Sequence, residues 1–213
     1  MTGLRERKKA RTRSGISGAA IALFLERGYD QVSVAEVAEA AEVSKRTLFA
    51  YFPTKDDLVL HRFADHEDEP ARVVRARPPG VAPLEALHQH LRAALERRDP
   101  ITGLCDAPEV VRFYRLLLDT PTLSAALARH HVRGEDALAA ALVEAAPAEA
   151  SGLTPRLAAV QILAVLRTLG HANQVRIAAG STADALAPTA TAEADQAFAL
   201  LGAGLAPYRS PLG

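Results

Sequence analysis

Tryptophan is absent from the 213 residues, and aromatic side chains make up only 5% of the chain although hydrophobic ones make up 49%. The core must therefore be built mainly from Ala, Leu and Val. Because Ala and Leu head the helix scale and lose little on helix formation, that shortage favours helices. No segment shows the alternating β-branched pattern of a half-buried strand. A single cysteine, Cys105, excludes an intramolecular disulfide framework and fits a reducing compartment. No stretch reaches the roughly 18 to 20 apolar residues of a membrane span, and no uninterrupted apolar run follows the start, so neither insertion nor secretion is expected. The cytoplasm is the expected location.

The motifs of common enzymes are missing too: there is no G-x-S-x-G, Walker A, G-x-G-x-x-G or H-E-x-x-H. Neither catalysis nor a cofactor is expected. His88 and His90, and the adjacent His130 and His131, are spaced i, i+2 and i, i+1. Pairs so spaced do not share a helix face as i, i+4 ligands do, so no metal site is expected.

Net charge is zero, from 25 Lys and Arg against 25 Asp and Glu, which by itself points away from nucleic acid. The distribution points the other way. Arg5, Arg7, Lys8, Lys9, Arg11 and Arg13 are opposed only by Glu6 near the start. Such a segment has two readings, a phosphate-binding footprint or a solvated arm.

Behind it Ile16, Ala20, Leu23 and Phe24 fall at helical spacing and Gly28 offers a stop, predicting a first helix over about 6–27. Ser33 and Glu36 form an S-x-x-E capping box, with Val32 and Val37 placed as a staple, so a short second helix runs to Ala41. Ser44 caps a third helix, with Val43 and Leu48 as its staple, and Pro53 stops it. Thr54 caps a fourth, with Asp57 three residues on. From His66-Glu67-Asp68-Glu69-Pro70 to Pro78-Pro79-Gly80 an irregular connection is expected. Helical spacing resumes at Leu84, Leu87, Leu91 and Leu95. Pro100, Pro121, Pro155 and Pro188 then divide the remainder into expected helices over 107–118, 122–146, 155–179 and 191–206.

The second and third helices, joined by a turn of about three residues, have helix-turn-helix spacing. Leu48 and Phe52 are i, i+4 and face inward, leaving Lys45, Arg46 and Thr47 at the exposed start of the third helix, where such helices meet base edges. Lys and Arg can donate to guanine O6 and N7; Thr can bond a base or meet a thymine methyl.

The segment Val32 to Leu58 resembles the signature of the TetR family, V-S-x-x-T-L-[YF]-x-[YH]-F-x-x-K, with every position from Val43 to Lys55 filled. With the first helix, the resemblance covers about the first quarter of the chain. It implies an all-α fold, with residues 1–53 as a helix-turn-helix DNA-binding domain and 54–213 as a helical effector-binding and dimerisation domain. It also implies a regulator, usually a repressor released from its operator by a small molecule. Its partners would be a palindromic double-stranded operator, a second copy of the chain and an effector, with no membrane. Carried over residue by residue, the resemblance makes Ser33 a phosphate contact and Ser44, at the cap of the reading helix, a DNA-binding residue. Lys45, Arg46, Thr47 and Phe49 would approach bases and backbone, and Tyr51 and Lys55 would grip phosphates. Lys55 also falls on the first turn of the fourth helix, where free N–H groups favour an anion. Two positions depart from the family pattern. Glu42 stands where Gly is usual, which strains the turn if φ is positive; Phe49 lacks the hydroxyl of the commoner Tyr and so contributes only apolar contact.

Leu157, Val160, Ile162, Leu163, Leu166 and Leu169 are apolar over more than one face, as a helix touching both a pocket and a partner would be, and Phe198, Leu201 and Leu205 form a stripe on the last helix. A monomeric bundle core would read the same way. Family topology implies an effector pocket among Leu87, Leu91, Phe113, Tyr114, Leu117, Leu166, Gly170 and Asn173. Arg112, Arg115 and Arg167 would recognise an anion if turned inward, or lie on solvated faces. His171 lies in an expected sensing helix, where it either binds an effector or hydrogen-bonds internally. The region Phe113-Tyr114-Arg115 is similar to the family branch that senses acyl-CoA-like molecules. The mechanism expected is an effector-driven shift of the fourth helix that alters recognition-helix separation. The rival reading is a membrane-surface or partner-binding protein, with the basic first helix as an amphipathic anchor.

Overall fold

A computed structural model describes residues 2–63, 66–146 and 152–204, and the regular elements among them are all helical. Contacts divide the chain into two compact units, 1–65 with 112–129, and 66–111 with 130–213.

In the first unit, α1 (Thr2–Arg27) ends at Gly28, whose φ of 87° and N–H bond to the Phe24 carbonyl close the helix. It is followed by α2 (Val34–Ala40), α3 (Lys45–Tyr51), α4 (Lys55–Leu60) and a 3-10 turn over His61–Phe63. Ile16, Ala20, Ile21 and Phe24 of α1 are buried, and α1 packs on α2 and α4. The apolar sector that a membrane anchor would present is thus used inside the unit. Ser17, a polar residue within this stripe and only 2% exposed, donates its hydroxyl to the Leu58 carbonyl at 2.6 Å and ties α1 to α4. Phe63 stacks on Phe113 at 5.9 Å between centroids, with Tyr114 edge-on to both.

The second unit contains α5 (Glu69–Ala76), α6 (Pro83–Glu96), a 3-10 turn over Pro100–Thr102, α9 (Thr154–Ala178) and α10 (Ala183–Gly204), together with parts of α7 (Pro108–Asp119) and α8 (Pro121–Ala145). One core gathers Ala71, Val74, Leu84, Leu87, Leu138, Leu142, Ile162 and Phe198; another gathers Leu95, Leu104, Ile177, Ala190 and Ala194. Leu205, expected to prolong the stripe of α10, lies outside the described residues.

Two expectations are corrected. Helix α5 occupies the supposed irregular connection. Pro70 falls in its first turn, where a missing N–H costs little, and Ala71 and Val74, three residues apart, are both fully buried. Pro188 does not precede the last helix but lies inside α10, which starts at Ala183. The carbonyl deprived of its i+4 donor is that of Asp184 on the exposed first turn, and the Thr182 hydroxyl accepts from the Ala185 N–H, so the helix start is fixed upstream of the proline.

Candidate nucleic-acid interface

Each short helix of the first unit starts where a side chain meets its free N–H groups. Ser33 accepts from the Glu36 N–H at 3.3 Å while the Glu36 carboxylate accepts from the Ser33 N–H at 2.8 Å; Thr54 and Asp57 repeat the exchange at 3.2 and 2.9 Å. Ser44 accepts from the Thr47 N–H at 3.0 Å, and the Ser44 and Thr47 hydroxyls are paired at 2.8 Å. Between α2 and α3, Glu42 adopts φ of 54°, the left-handed conformation that its place in the turn requires of a residue other than glycine.

Leu48 and Phe52 are fully buried, which fixes the rotation of α3 and leaves Lys45, Arg46 and Phe49 exposed, with Thr47 and Tyr51 half-buried. Ser33 and Ser44 are exposed at their caps. The guanidinium of Arg13 lies 5.3 Å from the Phe52 ring centroid, so α1 contributes a cation beside α3 that helical spacing alone did not single out. Arg7, Lys8, Lys9 and Arg11 are exposed along the start of α1; the Arg5 side chain lies outside the described residues.

Lys55 stands apart from this group. Its Nζ donates to the Tyr29 carbonyl at 2.5 Å and lies 4.1 Å from the Tyr29 ring centroid. Burial holds the ammonium below the usual lysine range, against the pull of Asp30, Asp56 and Glu36. Tyr29 in turn donates its hydroxyl to Asp56, and burial followed by that carboxylate pushes the phenol up. The structure thus ties Lys55 into a lock between α1, α4 and the loop after Gly28. The partner, Tyr29, is distant in sequence and gave no local signal.

Glu36 is held at about 2 by the Ser33 N–H, then by the Ser33 hydroxyl and Arg27, whose guanidinium is 2.6 Å away. Because the folded carboxyl is more acidic than its ordinary value of 4.5, its contribution to stability is complete above that value and is lost as pH falls from 4.5 through 2. An NMR titration is expected to place the Glu36 midpoint near 2, and Arg27→Ala to raise it. A midpoint at the ordinary carboxylate value would show the box to be open in solution.

The residues expected at an effector pocket belong to both units. Leu87, Leu91 and Leu166 come together in one core of the second unit; Gly170 and Asn173 sit on α9 against the 3-10 turn over Pro100–Thr102. Phe113, Tyr114 and Leu117 belong to the first unit, Leu117 fully buried there. Asn173, 2% exposed, donates its Nδ2 to the Thr102 carbonyl at 3.0 Å, while its buried Oδ1 accepts no hydrogen bond among the described residues. Arg167 bonds Glu135 at 3.2 Å. An open groove of about 510 Å³, lined by Glu96, Arg98, Pro188, Thr191 and Asp195 among others, includes none of the expected pocket residues. Among the described residues no His, Cys, Asp and Glu cluster could hold a metal, and no helix is long and apolar enough to cross a membrane.

With this geometry in place, comparison with known proteins is specific. Residues 16–61, spanning α1 through α4, match the model of bacterial regulatory proteins, tetR family. The chain is 36% identical over 138 residues to the HTH-type transcriptional regulator TcmR of Streptomyces glaucescens, covering 64% of this chain and 61% of TcmR. It is 39% identical over 93 residues to the HTH-type transcriptional repressor KstR of Rhodococcus jostii, covering 42% of each. The chain thus spans about three-fifths or less of these relatives. Beyond that span the fold itself is shared: the structure of Salmonella enterica GusR superposes with a TM-score of 0.56 at 20% identity, over 92% of this chain and 95% of that one. Residues 16–61 are thus similar to bacterial regulatory proteins of the tetR family, and the helical fold is shared with a solved structure over nearly the whole length.

Proposed function

We propose that the chain is a sequence-specific, DNA-binding transcriptional regulator of the cytoplasm, acting as a homodimer on a palindromic operator and released from it by a small-molecule effector. The observation that carries this reading is α3, capped at Ser44 and held by buried Leu48 and Phe52 so that Lys45 and Arg46 are exposed on its first turn. The name of KstR, a repressor, supports repression as the output.

One helix-turn-helix buries too little surface for specific binding, so a second copy is required. The outer face of α9 and α10 supports it. Leu157 and Val175 are 18 residues apart, five turns, and are 55% and 53% exposed on α9; Leu200 is 70% exposed on α10. The exposed positions in line with Leu157 and Val175, Gln161, Thr168 and His171, carry no carboxylate, Lys or Arg. An effector releases DNA only by binding the free protein better than the bound one, and productive half-sites tolerate little change from a separation of about 34 Å.

Selection of genomic fragments by the purified protein, followed by binding across a salt series, tests the reading. A palindromic site should be enriched. Lys45→Ala and Tyr51→Ala should both weaken binding; loss of the Lys45 charge from each subunit should reduce the slope of log affinity against log salt by about 2, whereas Tyr51→Ala, which removes no charge, should leave it unchanged. Absence of sequence-selective enrichment, with and without cell-extract metabolites, would reject DNA reading.

A further inference from the structure

On the reading face of α3, Phe49 is an anomaly. It is 49% exposed, whereas the other large apolar residues of the segment, Leu48 and Phe52, are fully buried. Scattered exposed hydrophobes need no explanation. This one follows Arg46 by three residues and Lys45 by four, so it shares the face on which those two cations stand. Its side chain has no polar atom, so it can bond neither a phosphate nor a base edge. In the major groove one apolar group distinguishes the bases, the C5 methyl of thymine. Thr47 and the exposed Ala50 of α3 also carry a methyl, but that of Ala50 stands one bond from the backbone, and the Thr47 hydroxyl is paired with Ser44 at 2.8 Å, which fixes its side chain toward the cap.

We infer that Phe49 is a specificity-determining residue that selects thymine at one position of each half-site by packing against its C5 methyl. The inference rests on the proposed DNA reading and names what that face reads. With no hydroxyl, the ring has only an apolar use.

The test takes the full-length protein and a site enriched from random duplex DNA. Each thymine is replaced in turn by deoxyuridine, which removes the methyl and nothing else. At one position per half-site, the replacement is expected to lower wild-type affinity about fourfold, the value of one buried methyl. Phe49→Ala should bind thymine and deoxyuridine there equally, whatever its overall affinity. Phe49→Leu should keep part of the preference, and Thr47→Ser all of it.

A wild type indifferent to every deoxyuridine, or a preference that survives in Phe49→Ala, overturns the inference while leaving DNA reading intact. Should Phe49→Ala bind too weakly to measure, the other variants decide: a preference intact in Phe49→Leu but lost in Thr47→Ser assigns the methyl to Thr47. If no site is enriched at all, the DNA reading itself fails, and this is read before any base is altered.

Discussion

Gly103→Ala is expected to destabilise the second unit by about 4 kcal/mol, whereas Gly170→Ala, its partner in the same contact, should cost less than about 1.5 kcal/mol. Gly103 ends the 3-10 turn over Pro100–Thr102 with φ of 71°, donating its N–H to the Pro100 carbonyl. A Cβ there would lie 2.0 Å from the Gly170 carbonyl oxygen and 2.9 Å from the Gln174 Cγ. The first of these is backbone of α9 and cannot rotate away, so the turn and the helix must part. Parting them lengthens the bond from Asn173 to the Thr102 carbonyl, leaving more buried polar groups unpaired beside an Asn173 Oδ1 that already lacks a partner among the described residues. The left-handed backbone adds about 1 to 2 kcal/mol for any residue with a Cβ. A Cβ on Gly170, by contrast, meets the Ile101 carbonyl oxygen at 3.5 Å, an ordinary contact, and Ala favours the helix. Chemical denaturation of both variants checks the asymmetry, with the thermal midpoint of Gly103→Ala expected about 10 °C below wild type. Equal costs would mean that the turn does not sit against α9 in solution.

This contact also marks the limit of what the sequence discloses. The starts of α2, α3 and α4 are legible because each depends on residues within one turn: Ser33 with Glu36, Ser44 with Thr47, Thr54 with Asp57. The rotation of α3, and with it the exposure of Lys45 and Arg46, follows from the i, i+4 spacing of Leu48 and Phe52. Features decided by distant partners are not legible. Nothing near Lys55 announces that its charge will be taken by the Tyr29 carbonyl, and nothing near Gly103 announces Gly170. Helix α5 was hidden for a different reason. Its charges and prolines read as a break, yet Pro70 falls in the tolerated first turn and the spacing of Ala71 and Val74 gives it a buried face. Pro188 misled in the same way, because a proline marks the end of a helix only when no upstream cap has already started one.

If the chain pairs and reads DNA as proposed, Leu157→Asp combined with Leu200→Asp is expected to abolish the homodimer and, with it, specific DNA binding. Both leucines are more than half exposed, so within one chain their replacement removes little packing, and fold stability should change by no more than about 0.5 kcal/mol per site. In a two-fold symmetric dimer each substitution appears twice on the same self-complementary patch. Four lost leucine contacts at about 1.5 kcal/mol or more each, together with carboxylates that would have to be desolvated, exceed 6 kcal/mol and raise the dimer dissociation constant by more than about 10⁴-fold. Operator affinity should fall by at least about 10³-fold, because a monomer engages a single half-site. Sedimentation equilibrium and operator titration on the same samples separate the possibilities, with circular dichroism to verify that the helices persist. A folded monomer that no longer binds places the partner on the outer face of α9 and α10. A dimer unaffected by four buried-to-be carboxylates removes that face from the interface, and Leu157, Val175 and Leu200 would then need another occupant.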